Sequence, residues 1–348
     1  MNPLHPIQHE DISDRSSERL SIQLNERKIE EQHPDIYQSL IPLLRTKHSD
    51  LKAHLQTVVF GDAIDETKAR AHCHFITLDG NKRPRDKDFA RFLGKKITDF
   101  AIPRSEVIKA LEEGVKSRSA APMDDLNSKA RKLFTRLPTS GEGGELILSV
   151  LAEAVLELPQ IFTKMVLKTN TEMHVHGSDG IHAGVDKITG NLALYWGESK
   201  LYKDVTTATS KCFSDLAPFL LGSGGSSASQ NCDLRLMRDG IDLSDPELEA
   251  AFKKYLNPDD AMFLKVEYRG LCLIGFDTEH YPTEPNSKEV EQLKTEIEKV
   301  FNDRKGHLEK RIKEEKIHSF VIEIFCLPFP SVDAFRQAFR EELGLSNE

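Results

Sequence analysis

The triplet Glu198-Ser199-Lys200 places a carboxylate and an ammonium group two residues apart at the end of an apolar segment. A strand is predicted over residues 191–201, because this segment is rich in apolar and aromatic residues and follows a turn sequence at 186–191. Alternate side chains of a strand share one face, so Glu198 and Lys200 are expected side by side. The spacing therefore predicts an acidic and a basic group together at a strand end.

Asp179 is the second carboxylate that the pattern brings to this place. With a turn centred near residue 188, Asp179 pairs roughly with Gly197 and lies beside Glu198. Two adjacent carboxylates raise each other's pKa unless a positive charge intervenes, and a divalent metal supplies that charge. Oxygen ligands suit Mg²⁺ or Mn²⁺. Asp186 is an alternative for this position. It lies in the turn, however, next to the start of the 191–201 strand, whereas Glu198 lies toward the end of that strand.

These residue types suit metal-assisted hydrolysis of a phosphodiester bond. Charge builds on the phosphate oxygens during the reaction, and the attacking water must be held and partly deprotonated. A metal ion and the adjacent Lys200 would meet both needs. Glu145 opens an apolar helix predicted over 145–158 and is a further candidate carboxylate. An acidic residue in the first turn of a helix ordinarily only complements the helix dipole, so this position keeps two interpretations.

Helices and strands alternate around these residues, which predicts an α/β or α+β architecture with a mixed sheet. The predicted strands are 54–60, 73–78, one bent ribbon made of 172–176 and 179–185, 191–201, 318–327 and a hairpin over 262–276 that turns at Arg269-Gly270. The predicted helices are 88–100, 105–114, 145–158, 204–220, 286–315 and 331–343. We divide the chain into a polar N-terminal arm over 1–35, an α+β domain over 36–136 and a third part over 137–348 that carries the candidate site.

The composition excludes several classes of protein. The chain has 47 Lys and Arg residues against 56 Asp and Glu residues, and a net charge of −9 excludes a uniformly basic nucleic-acid binder. The five cysteines are scattered without CxxC spacing, which argues against a disulfide framework or a structural zinc site. No apolar run is long enough to span a membrane, and the polar start lacks a signal sequence. A soluble cytoplasmic protein is expected.

The order of these residues resembles the PD-(D/E)xK nuclease superfamily. A helix with Glu145, a strand with Asp179, a turn, and a strand with Glu198-x-Lys200 repeat the core of that superfamily, with Ser178-Asp179 in place of "PD". The missing proline is a departure from the pattern. The runs GSDGIHAG, LALYWGESKLYKD and DFARFLGKKITDFAIPRSEV resemble more specifically the HamA family, the nuclease subunits of Hachiman anti-phage defence, over roughly 85–220.

The resemblance implies a restriction-endonuclease-like mixed β-sheet flanked by helices and a Mg²⁺- or Mn²⁺-dependent DNA endonuclease with little sequence preference. It implies that Asp179 and Glu198 bind the metal, that Glu145 supports them, and that Lys200 positions or activates water. It also implies a heterodimer with a superfamily-2 helicase subunit, HamB-like, that controls cleavage. Lys164 and Lys168 before the motif, and Lys200, Lys203 and Lys211 in and after it, are expected to form a positive rim around the site. Because the chain is acidic overall, we still expect the isolated subunit to bind DNA weakly and the helicase to supply most phosphate contacts.

Two other readings of the sequence remain open. His174 and His176, followed by Asp179 and His182, are spaced as strand ligands of a zinc-dependent hydrolase, although the HxHxDH order of one such class is absent. A non-catalytic adaptor of a helicase complex would explain the Glu198–Lys200 pair as an ordinary surface ion pair. An enzyme requires Glu145, Asp179, Glu198 and Lys200 to converge in a cleft, whereas an adaptor does not.

Overall fold

The computed structural model describes residues 34–135, 137, 140–167, 177–222 and 229–345. The first half contains α1 (Pro34–Leu40), α2 (His48–Leu51), β1 (Leu55–Ala63), β2 (Ala69–Ile76), α3 (Asp86–Gly94), α4 (Ile97–Ala101), α5 (Arg104–Ser117), α6 (Ala121–Leu133) and α7 (Glu142–Leu156). The second half contains β3 (Gln160–Phe162), β4 (Gly180–Val185), β5 (Leu192–Tyr202), α8 (Val205–Leu221), α9 (Ser229–Gly240), α10 (Pro246–Tyr255), β6 (Val266–Asp277), α11 (Val290–Glu314), β7 (Ile322–Phe329) and α12 (Val332–Glu342).

Seven strands form one mixed sheet in the order β1-β2-β7-β6-β5-β4-β3. The four central strands β5, β6, β7 and β2 run parallel to one another. At the two sides of the sheet, β1 pairs with β2, and β4 pairs with β5 and β3, in antiparallel fashion. Parallel strands need crossover connections, and helices α8 to α11 supply them. The structure therefore confirms the predicted mixed sheet flanked by helices.

Helices α7 and α8 cover opposite faces of β5. Gly144 of α7 lies close to Ser199 and Leu201, while Cys212 of α8 donates to the main-chain carbonyl of Glu198. Side chains alternate along a strand, so α7 covers the face of Ser199 and α8 covers the face of Glu198. Trp196 is fully buried in this layer. None of the described helices combines the length and apolar character that crossing a membrane requires.

The predicted hairpin at 262–276 is wrong, because β6 runs unbroken from Val266 to Asp277. Arg269 and Gly270 stay in the strand and pair with Tyr195 and Trp196. A Cβ at Gly270 would lie 2.8 Å from Leu216 Cδ2, so this glycine answers a packing requirement of α8 on the sheet. Gly270 is therefore required because α8 packs closely on β6. In the sequence, such a glycine looks the same as a glycine that a turn requires.

Both sides of the predicted boundary at 136/137 contribute strands to the same sheet, since β2 pairs with β7 from Ala69↔Ile322 to Cys73↔Cys326. The division into folding units stays a prediction. Of the N-terminal arm, residues 1–33 lie outside the described residues, as does the 172–176 part of the predicted ribbon.

Replacing Gly275 by Ala tests the packing of the central sheet. The new methyl group would overlap the side chain of Leu201 and lie 3.0 Å from Phe329 Cε2. Overpacking of this kind costs about 1–3 kcal/mol, so we expect the free energy of unfolding in urea to fall by that amount.

Gly306→Ala in α11 is the matched control, because a Cβ there meets nothing within 4 Å. It is expected to raise the free energy of unfolding by about 0.5–1 kcal/mol, as for Gly to Ala inside an exposed helix. Equal effects of the two substitutions would contradict the packing described for β5, β6 and β7.

Candidate active site

The start of β4 and the end of β5 bring Asp179 and Glu198 together. Gly180 pairs with Gly197, and the N–H of Asp179 donates to the Gly197 carbonyl at 2.9 Å. This register is one residue from the predicted pairing of Asp179 with Gly197, and it places Asp179 directly opposite Glu198. The expected neighbourhood of the two carboxylates therefore occurs at the point where the β4 ladder begins.

The Asp179 carboxylate accepts a hydrogen bond from the main chain of β5. Its Oδ2 accepts from the Ser199 main-chain N–H at 2.7 Å and from the Ser199 hydroxyl at 2.6 Å. Burial raises the pKa of Asp179, and the hydrogen bonds from Ser199 and the charge of Lys200 oppose that rise. Ser199, the residue between Glu198 and Lys200, thus fixes one carboxylate oxygen of Asp179.

Glu198 and Lys200 form an ion pair on the opposite face of β5 from α7. Lys200 Nζ lies 2.5 Å from Glu198 Oε1 and 3.0 Å from Asp215 Oδ2 of α8. Glu198 is 4% exposed, so this pair is not a surface ion pair. Asp215 was not singled out from the sequence, because its distance of seventeen residues from Glu198 in the chain gives no motif signal.

Asp179, Glu198 and Lys200 lie close enough for each charge to shift the pKa values of its neighbours. Burial, and next the negative charge of Asp179, raise the pKa of Glu198 to about 8, although Lys200 opposes this. Burial alone would lower the pKa of Lys200, but Glu198 and then Asp179 hold it above its ordinary value. The buried Glu198 and the half-buried Asp179 are oxygen donors that a divalent cation would stabilise in the ionised form. The donor set therefore fits Mg²⁺ or Mn²⁺.

A buried ion pair supports the loop that carries Asp179. Asp233 of α9, which is 1% exposed, lies 3.0 Å from Lys164 Nζ. Its other carboxylate oxygen, Oδ2, accepts from the Ser178 main-chain N–H at 3.2 Å and from the Ser178 hydroxyl at 2.9 Å. Gly177 has a φ of +136°, and a Cβ there would overlap Lys164. The positive charge of Lys164 also acts on Asp179.

Sequence reasoning missed Asp233, which lies 55 residues from Ser178 in the chain. It treated Lys164 only as part of a positive rim around the site, whereas Lys164 is buried. A buried lysine between two acidic side chains leaves no spacing pattern in the sequence, because the fold alone brings the three together.

Glu145 lies half-buried in the first turn of α7, next to Gly144 and over the Ser199 face of β5. Within the described ranges, no group of three or more His, Cys, Asp or Glu residues could hold a metal ion. The donor pair that the geometry offers is Asp179 and Glu198, and the supporting metal role of Glu145 stays a prediction.

Asp186, the alternative to Asp179, has a different set of partners. Its Oδ1 accepts from the N–H groups of Ile188 and Thr189, and its Oδ2 pairs with Arg269. Although burial opposes the change, these hydrogen bonds and the Arg269 charge lower the pKa of Asp186 to about 2. Asp186 therefore holds the β4–β5 turn. His174 and His176, the candidate zinc ligands, lie outside the described residues.

Replacing Asp233 by Ala tests the support beneath Asp179. The substitution removes the Asp233 carboxylate from the buried Lys164 and removes the acceptor of both Ser178 hydrogen bonds. Removing one member of a buried ion pair costs about 3–5 kcal/mol, so we expect a loss of that size in the free energy of unfolding, measured by urea titration.

Asp239→Ala in the same helix is the matched control, because Asp239 pairs with Arg238 at 3.4 Å on the exposed side. Exposed pairs contribute about 0–1 kcal/mol, so little change is expected. If Asp233→Ala were as mild as Asp239→Ala, the proposed support of the Ser178–Asp179 segment would be wrong.

The comparison with known families covers the whole candidate site. A family model described as HamA matches residues 50–343, which is most of the chain and includes α7, β4 and β5. No curated protein matches the sequence. The family match agrees with the resemblance seen in the runs around Asp179 and Glu198. The chain therefore belongs to the HamA family, which is linked to Hachiman defence.

Proposed function

We propose that this protein is a metal-dependent DNA nuclease that acts in Hachiman anti-phage defence and cuts with little sequence preference. The observation that carries the proposal is the meeting of Asp179, Glu198 and Lys200 at the ends of two paired strands. Membership of the HamA family supports the role in defence. The order of helix, Asp strand and Glu-x-Lys strand supports phosphodiester hydrolysis as the chemistry.

Asp179 and Glu198 would hold Mg²⁺ or Mn²⁺ between the start of β4 and the end of β5. When bound, such an ion polarises a phosphate oxygen and lowers the pKa of a water molecule. The protein's own contribution is to keep the two carboxylates in place. Ser199 holds Asp179 through two hydrogen bonds, and the β5 backbone at Glu198 is held by the thiol of Cys212, whose Sγ lies 3.3 Å from the Glu198 carbonyl oxygen.

Lys200 would act on the substrate through its positive charge. Its ammonium group is held by Glu198 and Asp215, two acceptors on different elements, so its position is defined before substrate arrives. An ammonium in this place donates hydrogen bonds to phosphate oxygens, on which charge builds in the transition state. It also orients the attacking water next to the carboxylates. These are positioning and electrostatic roles for Lys200.

The surroundings of the site support a dependence on a partner for DNA binding. Of the lysines expected to form a positive rim, Lys164 is buried and Lys203 pairs with Asp333 at 2.8 Å. Lys211 is exposed on α8. Because Lys164 is buried, Lys203 is paired and the net charge is −9, this subunit is expected to gain little from phosphate contacts. A HamB-like superfamily-2 helicase would supply them and would control cleavage.

The adaptor alternative has less support. It requires the Glu198–Lys200 pair to be an ordinary surface ion pair, and Glu198 is 4% exposed. An adaptor also has no need for a second carboxylate opposite Glu198. The arrangement costs folding free energy, since the two carboxylates repel each other and Glu198 is buried, and a function at this site explains why they lie together.

Glu198→Ala and Lys200→Ala test the nuclease proposal. Each removes a group that the proposal places against the metal or the scissile phosphate, so we expect DNA cleavage by the complex with its helicase to fall at least about 100-fold. Each substitution also breaks a largely buried ion pair and is expected to lower the free energy of unfolding, so only folded protein is compared. The measurement is a cleavage time course on linear and supercoiled DNA, with circular dichroism as the check of folding.

Lys203→Ala is the matched control, since Lys203 is exposed and pairs with Asp333 near the same strand end. Its cleavage rate should stay within about twofold of the unmodified protein. Cleavage should also stop in excess EDTA and return with Mg²⁺ or Mn²⁺. Full activity of Glu198→Ala, or undiminished cleavage in EDTA, would overturn the proposal for this site.

The proposed partnership makes a separate prediction. Expressed from its native gene neighbourhood with an affinity tag, the protein should co-purify with a superfamily-2 helicase as a heterodimer that survives size-exclusion chromatography. The Glu198→Ala variant should bind the helicase equally well, because Glu198 is buried and offers almost no surface to a partner. A protein that elutes as a monomer with no helicase would contradict the heterodimer.

A further inference from the structure

The end of β5 extends past β4 on the side of the candidate active site. β5 runs from Leu192 to Tyr202, whereas its described pairing with β4 ends at Gly197. On its other side, β5 stays paired with β6 as far as Tyr202. The last residues of β5 therefore continue the strand beyond the place where the two carboxylates of the site meet.

Tyr202 lies on the same face of this strand end as Glu198 and Lys200, because alternate side chains of a strand share one face. The rise of about 3.3 Å per residue puts the Cα atoms of Lys200 and Tyr202 about 6.6 Å apart. One strand of a DNA duplex rises about 3.4 Å per nucleotide. A phosphate group at Lys200 would therefore have a base of the same or a neighbouring nucleotide within reach of Tyr202.

The ring of Tyr202 is accessible from outside the protein. It is 38% exposed, and Phe60 is the other exposed residue among the described Phe, Tyr and Trp side chains. Phe60 lies on β1, at the far edge of the sheet. By contrast, Tyr195, Tyr255 and Tyr281 are buried in the core. Tyr202 is thus the exposed aromatic side chain that the described residues place at the candidate site.

Lys200 provides the cation that accompanies this ring. Its ammonium group carries three N–H donors, and in the described part of the chain it pairs with two carboxylates, those of Glu198 and Asp215. The third donor can reach a phosphate oxygen. A cation for the backbone and an aromatic ring for a base are the two parts with which proteins bind single-stranded nucleic acid. The end of β5 holds both parts two residues apart.

We propose that Tyr202 stacks on an unpaired base next to the phosphate group at Lys200, and that the substrate of this site is single-stranded DNA. The inference rests on the proposed nuclease function for the nature of the substrate. Inside a duplex, both faces of a base are covered by its neighbours, so a tyrosine ring reaches only a base that has left the stack. Every base has a flat face, and stacking on Tyr202 therefore also fits cleavage with little sequence preference. A helicase that separates the strands would supply such bases.

The experiment measures DNA binding by the full chain in EDTA, where no metal-dependent cleavage occurs. The probes are a fluorescein-labelled single strand of about 16 nucleotides, long enough for one binding site, and the same strand annealed to its complement. Anisotropy gives the dissociation constant for each probe. The variants are Tyr202→Ala and Tyr202→Phe, and Phe60→Ala is the matched control, because it removes an exposed ring at the far edge of the sheet.

We expect Tyr202→Ala to bind the single strand about tenfold more weakly, because one stacking contact is lost. Tyr202→Phe keeps the ring and Phe60→Ala removes a remote one, so both should stay within about twofold of the unmodified protein. Binding of the duplex should change by less than about twofold in every variant, since its bases are already stacked on one another.

Tyr202→Trp gives a second measurement of the same contact. The chain has one tryptophan, Trp196, which is fully buried, so the unmodified protein supplies the baseline fluorescence. Stacking on a base quenches the emission of an indole ring. The single strand should therefore quench the emission of Tyr202→Trp, whereas the duplex should not. This measurement decides the outcome if thermal unfolding shows that Tyr202→Ala is not folded.

Three results would overturn the inference: single-strand binding that is equally strong in Tyr202→Ala and the unmodified protein, an equal loss in Tyr202→Ala and Tyr202→Phe, or no binding of the single strand at millimolar concentration. An equal loss for the single strand and the duplex would overturn it as well. Failure of the nuclease proposal is seen separately, in the cleavage assay of Glu198→Ala, because none of these binding measurements depends on cleavage.

Discussion

The antiparallel register of β4 on β5 is the constraint on which the site depends. Gly180 opposite Gly197 sets Asp179 opposite Glu198. Because β5 is also paired with β6 along its whole length, a slip of one residue between β4 and β5 would turn the side chains of β4 to the other face and move Asp179 away from Glu198. Gly197 allows α7 to lie close to this pair, since Leu148 Cδ2 would be 3.2 Å from a Cβ on Gly197. The close helix and the turn held by Asp186 and Arg269 both resist such a slip.

Charge burial follows from this register. Once Asp179 and Glu198 face each other inside the protein, their charges must be compensated, and the chain brings two lysines from different directions. Lys200 comes from β5 itself, while Lys164 comes from the segment after β3 and is shared with Asp233. Each lysine has an acidic partner on a helix, Asp215 on α8 and Asp233 on α9. The two helices thereby fix the loop and the strand end that form the site.

Local patterns predicted the strands that carry the site, because alternation along β5 and the turn at 186–191 are short-range signals. They placed Asp179, Glu198 and Lys200 correctly relative to one another, within one residue of register. They did not predict Asp233 or Asp215, which reach the site through helix packing. They also misread Arg269-Gly270 as a turn, because a glycine needed for helix packing has the same local appearance as a glycine needed for a bend. The pairing of β2 with β7, more than 240 residues apart, has no local signal at all.

The pairing of β2 with β7 covers what would otherwise be an edge of the sheet. Strand β7 is apolar and buried on nearly its whole length, and β2 occupies its outer edge through parallel pairing. Without β1 and β2, β7 would expose a row of unpaired main-chain groups beside apolar side chains, the combination that promotes edge-to-edge aggregation. The first two strands therefore act as a protective cover for the half of the sheet that holds the catalytic candidates. A fragment that begins after residue 136 would carry every one of those residues and still be prone to self-association.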